Sequence, residues 1–452
     1  MSDQDHAEVR RHLDRLAADG IDVVRVTYPD LIGTDRARDV LVEELPRALE
    51  HGLAFCRAVY HTSPQGDVVP VPGGLDAGLP DVCVRPDLGT LVALPWEPGV
   101  AACLADVVDP ATGAPAPESP RDLLRSVLER CRDHGLSPVV GPELEYFLCE
   151  PDQAGGWRRY GNTPGVVYTA GLRADPDNHL LRTLRQVRDL RIGVLSGNHE
   201  FDGGQFEINL LHSEALSAAD RAFRFKAAVK ELARREGRLA TFMAKPFNDA
   251  GGSGFHLHLS CTDGSDTEGR NSFDDPSGAY GLSATARHAI AGVLAHAPAL
   301  AALLNPTVNS YKRFGPDTLA PWLIDWGLDN RSAMVRVPPE RGAGARLELR
   351  LGDASANPYL AIAATTAAAL LGVLAAEEPP APLEGYGYDT AKAAVLPMEL
   401  PAALDALEAD TALAELLGKD FTASYLTYKR NEVERFRRHV TDWEFTEYAY
   451  HL

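Results

Sequence analysis

The sequence has 452 residues, of which 45% are hydrophobic and 24% charged, a composition typical of a globular chain with two or three domains. The formal net charge of -20 argues against nucleic acid or an anionic membrane as a partner, because both select clustered Lys and Arg. The six cysteines have no CxxC spacing and indicate neither a zinc knot nor a disulfide framework.

The first hundred residues predict a helix and then a small sheet. Residues 1–20 have the polar amphipathic pattern of a helix and no apolar signal region, which together with the scattered cysteines favours the cytoplasm. Residues 21–42 alternate apolar and polar side chains on both sides of a turn at Pro29–Gly33, which predicts a strand pair. Further short strands extend to about residue 108. The Pro- and Ala-rich residues 109–120 then predict a connector between two domains.

Helices and strands alternate in the rest of the chain. Ser119, Pro120 and Asp122 open a helix with a capping-box pattern, and Gly135 ends it. Long Ala- and Leu-rich helices follow, and the C-terminal segment predicts a helical tail. The most apolar stretch, Ala361–Ala376, is short and rich in Ala and Thr, so we expect a buried helix and not a membrane span.

Four predicted strands carry polar residues on one face. In GPELEYFL, Glu143 and Glu145 share a face, and the segments QFEIN, FHLHLS and RLELRL repeat this alternation. Their polar positions are Gln205, Glu207 and Asn209; His256, His258 and Ser260; and Arg346, Glu348 and Arg350. Each strand alone is compatible with an ordinary antiparallel strand that has one solvated face. The four faces together contain no Lys or Thr, which favours a surface that binds divalent cations and anionic oxygens.

The residue types indicate which ions such a surface would bind. Several carboxylates with one plausible imidazole suit Mg²⁺ or Mn²⁺ better than zinc or copper. Two ions are expected, because more glutamates are present than one ion needs: Glu143, Glu145, Glu200, Glu207 and Glu348. Paired ions neutralise charge during phosphoryl transfer, and interleaved arginines hold phosphate or carboxylate. The pattern therefore predicts a site for a polyphosphate and a carboxylic acid, in a chain without a Walker phosphate loop.

Six ordered motifs resemble the glutamine synthetase superfamily over essentially the whole chain. They are GPELEYF, NHEFDGGQFEIN, KPFNDAGGSGFHLHLS, NPTVNSYKR, NRSAMVRVP and RLELRLGDASANPYL. The resemblance implies an α+β fold, with an N-terminal β-grasp domain (residues 1–110) and a catalytic domain (residues 111–452) in which an antiparallel sheet funnel packs against helices. It also implies homo-oligomeric rings, a dodecamer, with active sites between subunits. The reaction implied is ATP-dependent phosphorylation of the glutamate γ-carboxylate, followed by attack of a nitrogen nucleophile.

Residue by residue, the resemblance implies ATP and two Mg²⁺ or Mn²⁺ ions. The first ion lies on the glutamate side, with the ligands Glu145, Glu200 and Glu207, and the second lies at the ATP phosphates, with the ligands Glu143, His256 and Glu348. The implied nucleotide contacts are His258, Ser260, Arg336 and Arg346. The implied contacts to glutamate and its transferring phosphate are Gly252, Arg313, Arg331 and Arg350, with Arg313, Arg331 and Glu200 as catalytic residues.

Three departures from ammonia-using members concern substrate binding. Those members carry an N-terminal Asp-Gly-Ser-Ser segment and a flap Glu before Ala-Pro, and the two acids bind ammonium. Here the N-terminal segment reads AFCRAVYHTSPQGDVV, and Leu319 occupies the flap position. The sequence GGSG (251–254) replaces Asn-Gly-Ser-Gly, and Ala343 stands near a position that is usually Lys. An apolar Leu319 cannot offset the desolvation of ammonium, but it can contact the carbon chain of a larger amine.

We therefore expect a γ-glutamyl amide ligase that joins glutamate to an alkylamine, ethanolamine or polyamine. Asp317 and Glu200 are candidates for the base that deprotonates the amine. An ammonia-dependent glutamine synthetase with an unusual pocket is one alternative. A non-catalytic homologue is another, although the intact metal set argues against it.

Overall fold

The N-terminal part of the chain forms a five-stranded mixed sheet in the computed structural model, which describes residues 3–161, 163, 165–263, 269–316 and 318–452. The strand order is β2-β1-β5-β4-β3, with β1 parallel to β5 and the other pairs antiparallel. The elements are α1 (Asp3–Ala18), β1 (Val23–Pro29), β2 (Asp35–Leu41), α2 (Leu45–His51), β3 (Leu53–Cys56), β4 (Asp81–Ala93) and β5 (Val100–Val108). The predicted first helix and the predicted strand pair are both confirmed.

The predicted helix after the connector is also present, as α3 (Pro120–Asp133). The Ser119 side chain accepts a hydrogen bond from the Asp122 backbone N–H, as an N-cap should. In a full capping box the Asp122 carboxylate would accept from the Ser119 backbone N–H. Here it accepts from the Ser119 hydroxyl at 2.7 Å instead, and the Ser119 N–H donates to the Ala116 carbonyl. Asp carries one methylene fewer than Glu, and its carboxylate pairs with the hydroxyl instead of the backbone.

A ten-stranded sheet dominates the rest of the chain, with the main order β13-β14-β15-β12-β6-β9-β8 and with β7, β10 and β11 paired to β6. Its strands are β6 (Ser137–Pro151), β7 (Trp157–Arg159), β8 (Val194–His199), β9 (Gln205–Leu210), β10 (Ser213–Glu214), β11 (Leu239–Thr241), β12 (Phe255–Thr262), β13 (Trp326–Leu328), β14 (Val335–Val337) and β15 (Leu347–Leu349). The α+β fold class predicted from the sequence is confirmed.

The helices of this part of the chain are α4 (His179–Asp189), α5 (Ala215–Arg235), α6 (Ala284–Ala295), α7 (Ala297–Leu304), α8 (Pro358–Ala375), α9 (Leu400–Ala409), α10 (Thr411–Leu417), α11 (Lys419–Arg437) and α12 (Asp442–Tyr448). Helices α3, α4 and α5 contact strands of the sheet directly, and α8 packs on α3, α5 and α6. The predicted C-terminal helical tail corresponds to α9–α12. Helix α8 is long and apolar enough to cross a bilayer, but 78% of its most apolar window is buried inside the protein, so the prediction of a buried helix holds.

The register of the large sheet decides where the functional side chains lie. The four strands with polar faces are adjacent in space, in the order β15-β12-β6-β9. Their apolar positions fill the core, where each is at most 3% exposed: Leu144, Tyr146, Phe206, Ile208, Phe255, Leu257, Leu259, Leu347 and Leu349. Their polar positions therefore project together from the other side of the same sheet.

Candidate active site

Strand pairing sets the predicted metal ligands opposite one another. His256 pairs with Glu143 between β12 and β6, and Glu145 pairs with Glu207 between β6 and β9. His258 pairs with Glu348 between β12 and β15. The simple interpretation of a solvated strand face is excluded, because Glu348 is 1% exposed and His256 is 6% exposed. Buried polar side chains at facing positions need partners, and here they find them in one another.

Glu143 is at the centre of the cluster. Its carboxylate oxygens lie 2.9 Å from His258 Nε2 and 3.4 Å from His256 Nδ1. The guanidinium of Arg346 donates to His258 Nδ1 at 3.1 Å, so that nitrogen accepts and Nε2 carries the proton donated to Glu143. Burial opposes ionisation of Glu143, but the hydrogen bonds from the two histidines outweigh burial and hold its pKa well below the usual range. Glu143 is therefore a permanent carboxylate.

Glu348 is held by two arginines. Arg350 donates to one carboxylate oxygen at 2.6 Å, and Arg336 forms a short ion pair with the other. Arg336 also pairs with Asp329 at 2.7 Å. Burial raises the pKa of Glu348, but Arg350 and the neighbouring histidines outweigh it and lower the pKa to about 2. This carboxylate is also fixed in its charged form.

Two predicted substrate arginines have no carboxylate partner within the described part of the chain. Arg313 is 5% exposed, and its guanidinium donates to the Leu351 carbonyl at 3.3 Å. Burial lowers the pKa of Arg313, and Glu145 counteracts that effect. Arg331 is exposed, and its backbone carbonyl accepts from Arg350 at 3.1 Å. A guanidinium without an ionic partner beside a cluster of acids is suited to bind the carboxylate or phosphate of a substrate.

Two glycines let the ligands approach one another. A β-carbon at Gly254 would lie 2.8 Å from Glu145 Oε1, 2.8 Å from His256 Nε2 and 3.0 Å from an Arg313 nitrogen. A β-carbon at Gly252 would lie 2.6 Å from both the Ala244 oxygen and Arg313 Cγ. The Gly254 N–H donates to Glu145 at 2.9 Å. These three side chains therefore converge on the backbone of the 251–254 loop.

The three carboxylates predicted for the first ion, Glu145, Glu200 and Glu207, repel one another. Burial and the charge of Glu145 raise the pKa of Glu200 to about 7. Burial, Glu143 and Glu145 raise the pKa of Glu207 as well. Hydrogen bonds from Asn198 to Glu200, at 2.7 Å, and from Asn209 to Glu207, at 3.2 Å, offset only part of this repulsion.

A divalent cation fits this donor set. Two groups of carboxylate and imidazole atoms lie within 4.8 Å of one another: Glu143, Glu207 and His256, and Glu143, His258 and Glu348. Both groups contain Glu143, and neither reproduces a predicted ligand set. The first joins Glu207 to two residues predicted for the other ion, and the second contains His258, which was predicted to contact the nucleotide. Oxygen-rich sets of this kind suit Mg²⁺ or Mn²⁺. Glu145 and Glu200 lie in neither group, so the assignment of single ligands to single ions stays a prediction.

Three of the four predicted nucleotide contacts line a cavity of about 400 Å³ next to Glu143. His258, Ser260 and Arg346 belong to its wall, with Leu195 and Leu211 as large apolar side chains. Arg336, predicted to face the nucleotide phosphates, is not part of this wall but reaches the same metal cluster through Glu348. Ala343, which the resemblance places near a position that is usually Lys, also lines the cavity and supplies no charge there.

The flap places Leu319 in an unusual conformation. Its φ of 56° is left-handed, and its side chain is 43% exposed. The Thr318 hydroxyl donates to the Gly315 carbonyl at 2.8 Å and accepts from Ala320 N–H at 3.3 Å, which stabilises the turn. Left-handed backbone costs a residue other than glycine roughly 1–2 kcal/mol. Asp317, one of the two predicted bases, lies outside the described residues.

Two residues of the site, Gln205 and Tyr168, were given no role of their own from the sequence. Gln205 donates to Glu145 at 2.9 Å and to the Gly252 carbonyl at 3.1 Å, and its place on the polar face of β9 was the available signal. Tyr168 is 70% exposed, and desolvation, followed by the charge of Glu200, raises its pKa. Its surroundings have no strand or helix period, so the sequence carried no signal for it.

The sequence model of the glutamine synthetase catalytic domain matches residues 117–448. The chain belongs to the glutamine synthetase family. The glutamine synthetase of Halobacterium salinarum is 35% identical over 97% of this chain and 96% of that protein. The glutamine synthetase of Methanocaldococcus jannaschii is also 35% identical, over 97% of this chain and 98% of that protein.

A solved structure of a GmaS/ADP complex is similar with a TM-score of 0.85 at 34% identity, and it covers 97% of this chain and 99% of that chain. The superfamily resemblance and its GmaS-like branch are thereby confirmed. The protein is a member of a family of C–N ligases that use ATP and divalent metals. The domain boundary near residue 110 and the roles of single site residues stay predictions.

Proposed function

We propose that this glutamine synthetase family member joins the γ-carboxylate of glutamate to an organic amine at the expense of ATP. Acceptors of the expected class are an alkylamine, ethanolamine or a polyamine. The observation that carries the proposal is the apolar Leu319 in the flap, where ammonia-using relatives carry an acid. The similarity to GmaS, a gamma-glutamylmethylamide synthetase, supports it independently.

The proposed reaction has two steps. A glutamate γ-carboxylate oxygen attacks the γ-phosphorus of ATP, ADP leaves, and γ-glutamyl phosphate forms. The neutral amine then attacks the carbonyl carbon, the phosphate leaves, and a base takes the proton from nitrogen. Bound Mg²⁺ or Mn²⁺ would neutralise the phosphate oxygens.

The side chains of the site have separate roles in this scheme. Arg313 and Arg331 would bind the substrate anions, because their guanidinium groups have no ionic partner within the described part of the chain. Arg350 and Arg336 hold Glu348. Glu200 is the candidate for the base among the described residues, where burial and the charge of Glu145 raise its pKa to about 7. A divalent ion bound to Glu200 would lower that pKa, so Glu200 can serve as the base only while its carboxylate does not coordinate the ion.

Charge explains the preference for an organic amine. Ammonium is compact and strongly hydrated, so its binding requires an acid close to the position it occupies. Leu319 cannot supply that acid. It offers instead an apolar contact, which is worth roughly 0.8 kcal/mol for each buried methylene of the acceptor. The binding free energy that a short alkyl chain gains from this contact is therefore about that of one weak hydrogen bond.

An ammonia-dependent glutamine synthetase is the second candidate, because the curated relatives at 35% identity carry that name. Phosphate release from ATP and glutamate should be compared across ammonium, methylamine, ethanolamine, putrescine and spermidine. We expect at least one organic amine to exceed ammonium in kcat/KM. Equal or faster turnover with ammonium would favour the second candidate.

Replacement of the flap residue tests the assignment of Leu319. Leu319→Glu should raise kcat/KM for ammonium and lower it for the best organic amine. Leu319→Gln is the matched control, because the Gln side chain has the shape of Glu without its charge. A folded Leu319→Glu variant with the wild-type preference would contradict the proposed role of this position.

We also propose that the protein acts in the cytoplasm as a ring-shaped homo-oligomer, a dodecamer, as the family resemblance implies. Native mass spectrometry of the purified chain tests the assembly. A monomer that is fully active would contradict active sites shared between subunits.

A further inference from the structure

A second cavity, of about 290 Å³, lies between the loops of the first sheet and helix α11. Leu31 and Ile32 of the β1–β2 loop form one wall, Ser355 lies at a second, and Tyr425 and Arg435 of α11 form a third. It shares no lining residue with the nucleotide cavity. Hydrogen bonds from Asn357 to the Leu31 carbonyl, and from Tyr428 to the Thr62 carbonyl, connect the two parts of the chain around it.

The cavity has one unbalanced positive charge. Lys429 is 3% exposed, and its Nζ lies 2.9 Å from Glu432, so these two charges neutralise each other. Glu432 also accepts from the Val308 N–H at 3.3 Å. Arg435 donates through Nε to Asn431 at 3.0 Å, and its terminal nitrogens have no partner among the described residues. A half-buried guanidinium with free donors is suited to bind an anion.

The rest of the wall is largely apolar. It includes Leu303, Pro306, Leu360 and Pro64 in addition to the β1–β2 loop. Each water occupies about 30 Å³ in the liquid, so the volume corresponds to roughly ten non-hydrogen atoms. We propose that this cavity binds a small carboxylate with an apolar body, such as an aromatic or branched carboxylic acid, and that the bound acid acts as an effector.

A short chain of contacts connects the cavity with the candidate metal site. The backbone N–H of Ser355, a wall residue, donates to the Asp353 carboxylate at 2.8 Å. Asp353 forms a backbone bridge with Gly254, whose N–H holds Glu145. Lys226 fixes the same segment, because its Nζ donates to the Ala354 and Ala356 carbonyls at 2.8 Å each. A ligand that shifts Ser355 therefore acts on the backbone that positions a candidate metal ligand.

Calorimetric titration with benzoate tests the site. The full-length enzyme is saturated with Mg²⁺, ADP and glutamate, so that the carboxylate sites of the active centre are occupied. We expect benzoate to bind and the uncharged isostere benzamide to bind at least 10-fold more weakly, since benzamide cannot form a charge-assisted pair with the Arg435 guanidinium. Benzoate and benzamide that bind equally, or a wild-type enzyme that binds neither, would overturn the proposal.

Variants of α11 locate the binding. Arg435→Gln should weaken benzoate binding at least 10-fold, and Arg437→Gln, which removes the same charge from an exposed position of the same helix, should not. Ile32→Trp should also block benzoate by filling the cavity from the opposite wall. Benzoate affinity that is the same in Arg435→Gln and Arg437→Gln would place the ligand elsewhere and overturn the assignment.

The effector role has its own readout. Mn²⁺ titrations of the enzyme with and without saturating benzoate should give apparent affinities that differ at least fivefold, the lower end of typical coupling between sites. The difference should vanish in Arg435→Gln. An identical Mn²⁺ affinity in both conditions would overturn the effector role while leaving the binding measurement intact.

Discussion

Gly254→Ala is the substitution that most directly tests the geometry of the metal cluster. The new β-carbon would lie 2.8 Å from both Glu145 Oε1 and His256 Nε2, whereas ordinary van der Waals contact begins at 3.4 Å. Both side chains must therefore retreat by about 0.6 Å. Metal–ligand distances tolerate only about 0.2 Å, so the two groups cannot keep their positions in a coordination sphere.

The expected size of the effect follows from that displacement. Loss of an outer contact that orients a ligand typically costs 10- to 100-fold in metal affinity, which is about 1.4–2.8 kcal/mol. The fold should survive, because the atoms that the β-carbon meets are the ends of side chains and not backbone. The φ angle of Gly254 is not positive, so Ala can adopt this backbone conformation without strain.

The assay is a Mn²⁺ titration of the metal-stripped protein, with thermal unfolding as the check on folding. Gly89→Ala is the control, because its β-carbon would crowd a carboxylate oxygen too, that of Asp87 at 3.2 Å, but in the first sheet and away from the candidate metal ligands. A Gly254→Ala variant with wild-type Mn²⁺ affinity would refute the reasoning that Glu145 and His256 bind metal from these positions.

Two further predictions concern the buried cations. Burial lowers the pKa of Lys226 to about 7, while the unfolded lysine stays protonated to about 10.5, so the unfolded state binds more protons between these values. The free energy of unfolding should therefore rise with pH in that window, by up to about 1.4 kcal/mol per pH unit. Urea titrations at pH 7, 8 and 9 measure this rise, and Lys226→Met should flatten it. An unchanged dependence of the unfolding free energy on pH in Lys226→Met would contradict the burial of the charge. Arg121 is 3% exposed and pairs with Asp87 at 2.8 Å and Asp220 at 3.0 Å, so Arg121→Met should cost about 3–5 kcal/mol of unfolding free energy. Arg125→Met, at a position 33% exposed, should lower the unfolding free energy clearly less. Equal losses of unfolding free energy in the two variants would contradict the idea that burial makes the Arg121 ion pairs important.

Local patterns were sufficient for much of the fold. The alternation in residues 21–42 predicted the β1–β2 pair, and Ser119 predicted the start of α3, because both signals lie within a few residues of one another. The capping box was only partly correct, since Asp122 accepts from the hydroxyl of Ser119 and not from its backbone. A pattern of residue types does not show which backbone or side-chain atom a given side chain can reach in the folded structure.

The candidate site divides in the same way. The sequence gives the composition of each polar face, and the family motifs gave the candidate metal ligands, including Glu143, His256 and Glu348. It gave no sign of Tyr168, whose position beside Glu200 depends on a loop without periodicity. It also could not show that Arg313 and Arg331 lack ionic partners among the described residues, whereas Arg336 and Arg350 have them.

The sequence by itself determined which side chains share a strand face, because the period of two is a property of the backbone of each strand. Only the tertiary structure decided that β15, β12, β6 and β9 are neighbours and that His256 faces Glu143. Strand order and register depend on contacts between residues far apart in the chain, which no local pattern encodes. The close approach of Glu145, His256 and Arg313 at Gly254 is likewise a product of packing, and it turns separate polar faces into one candidate site.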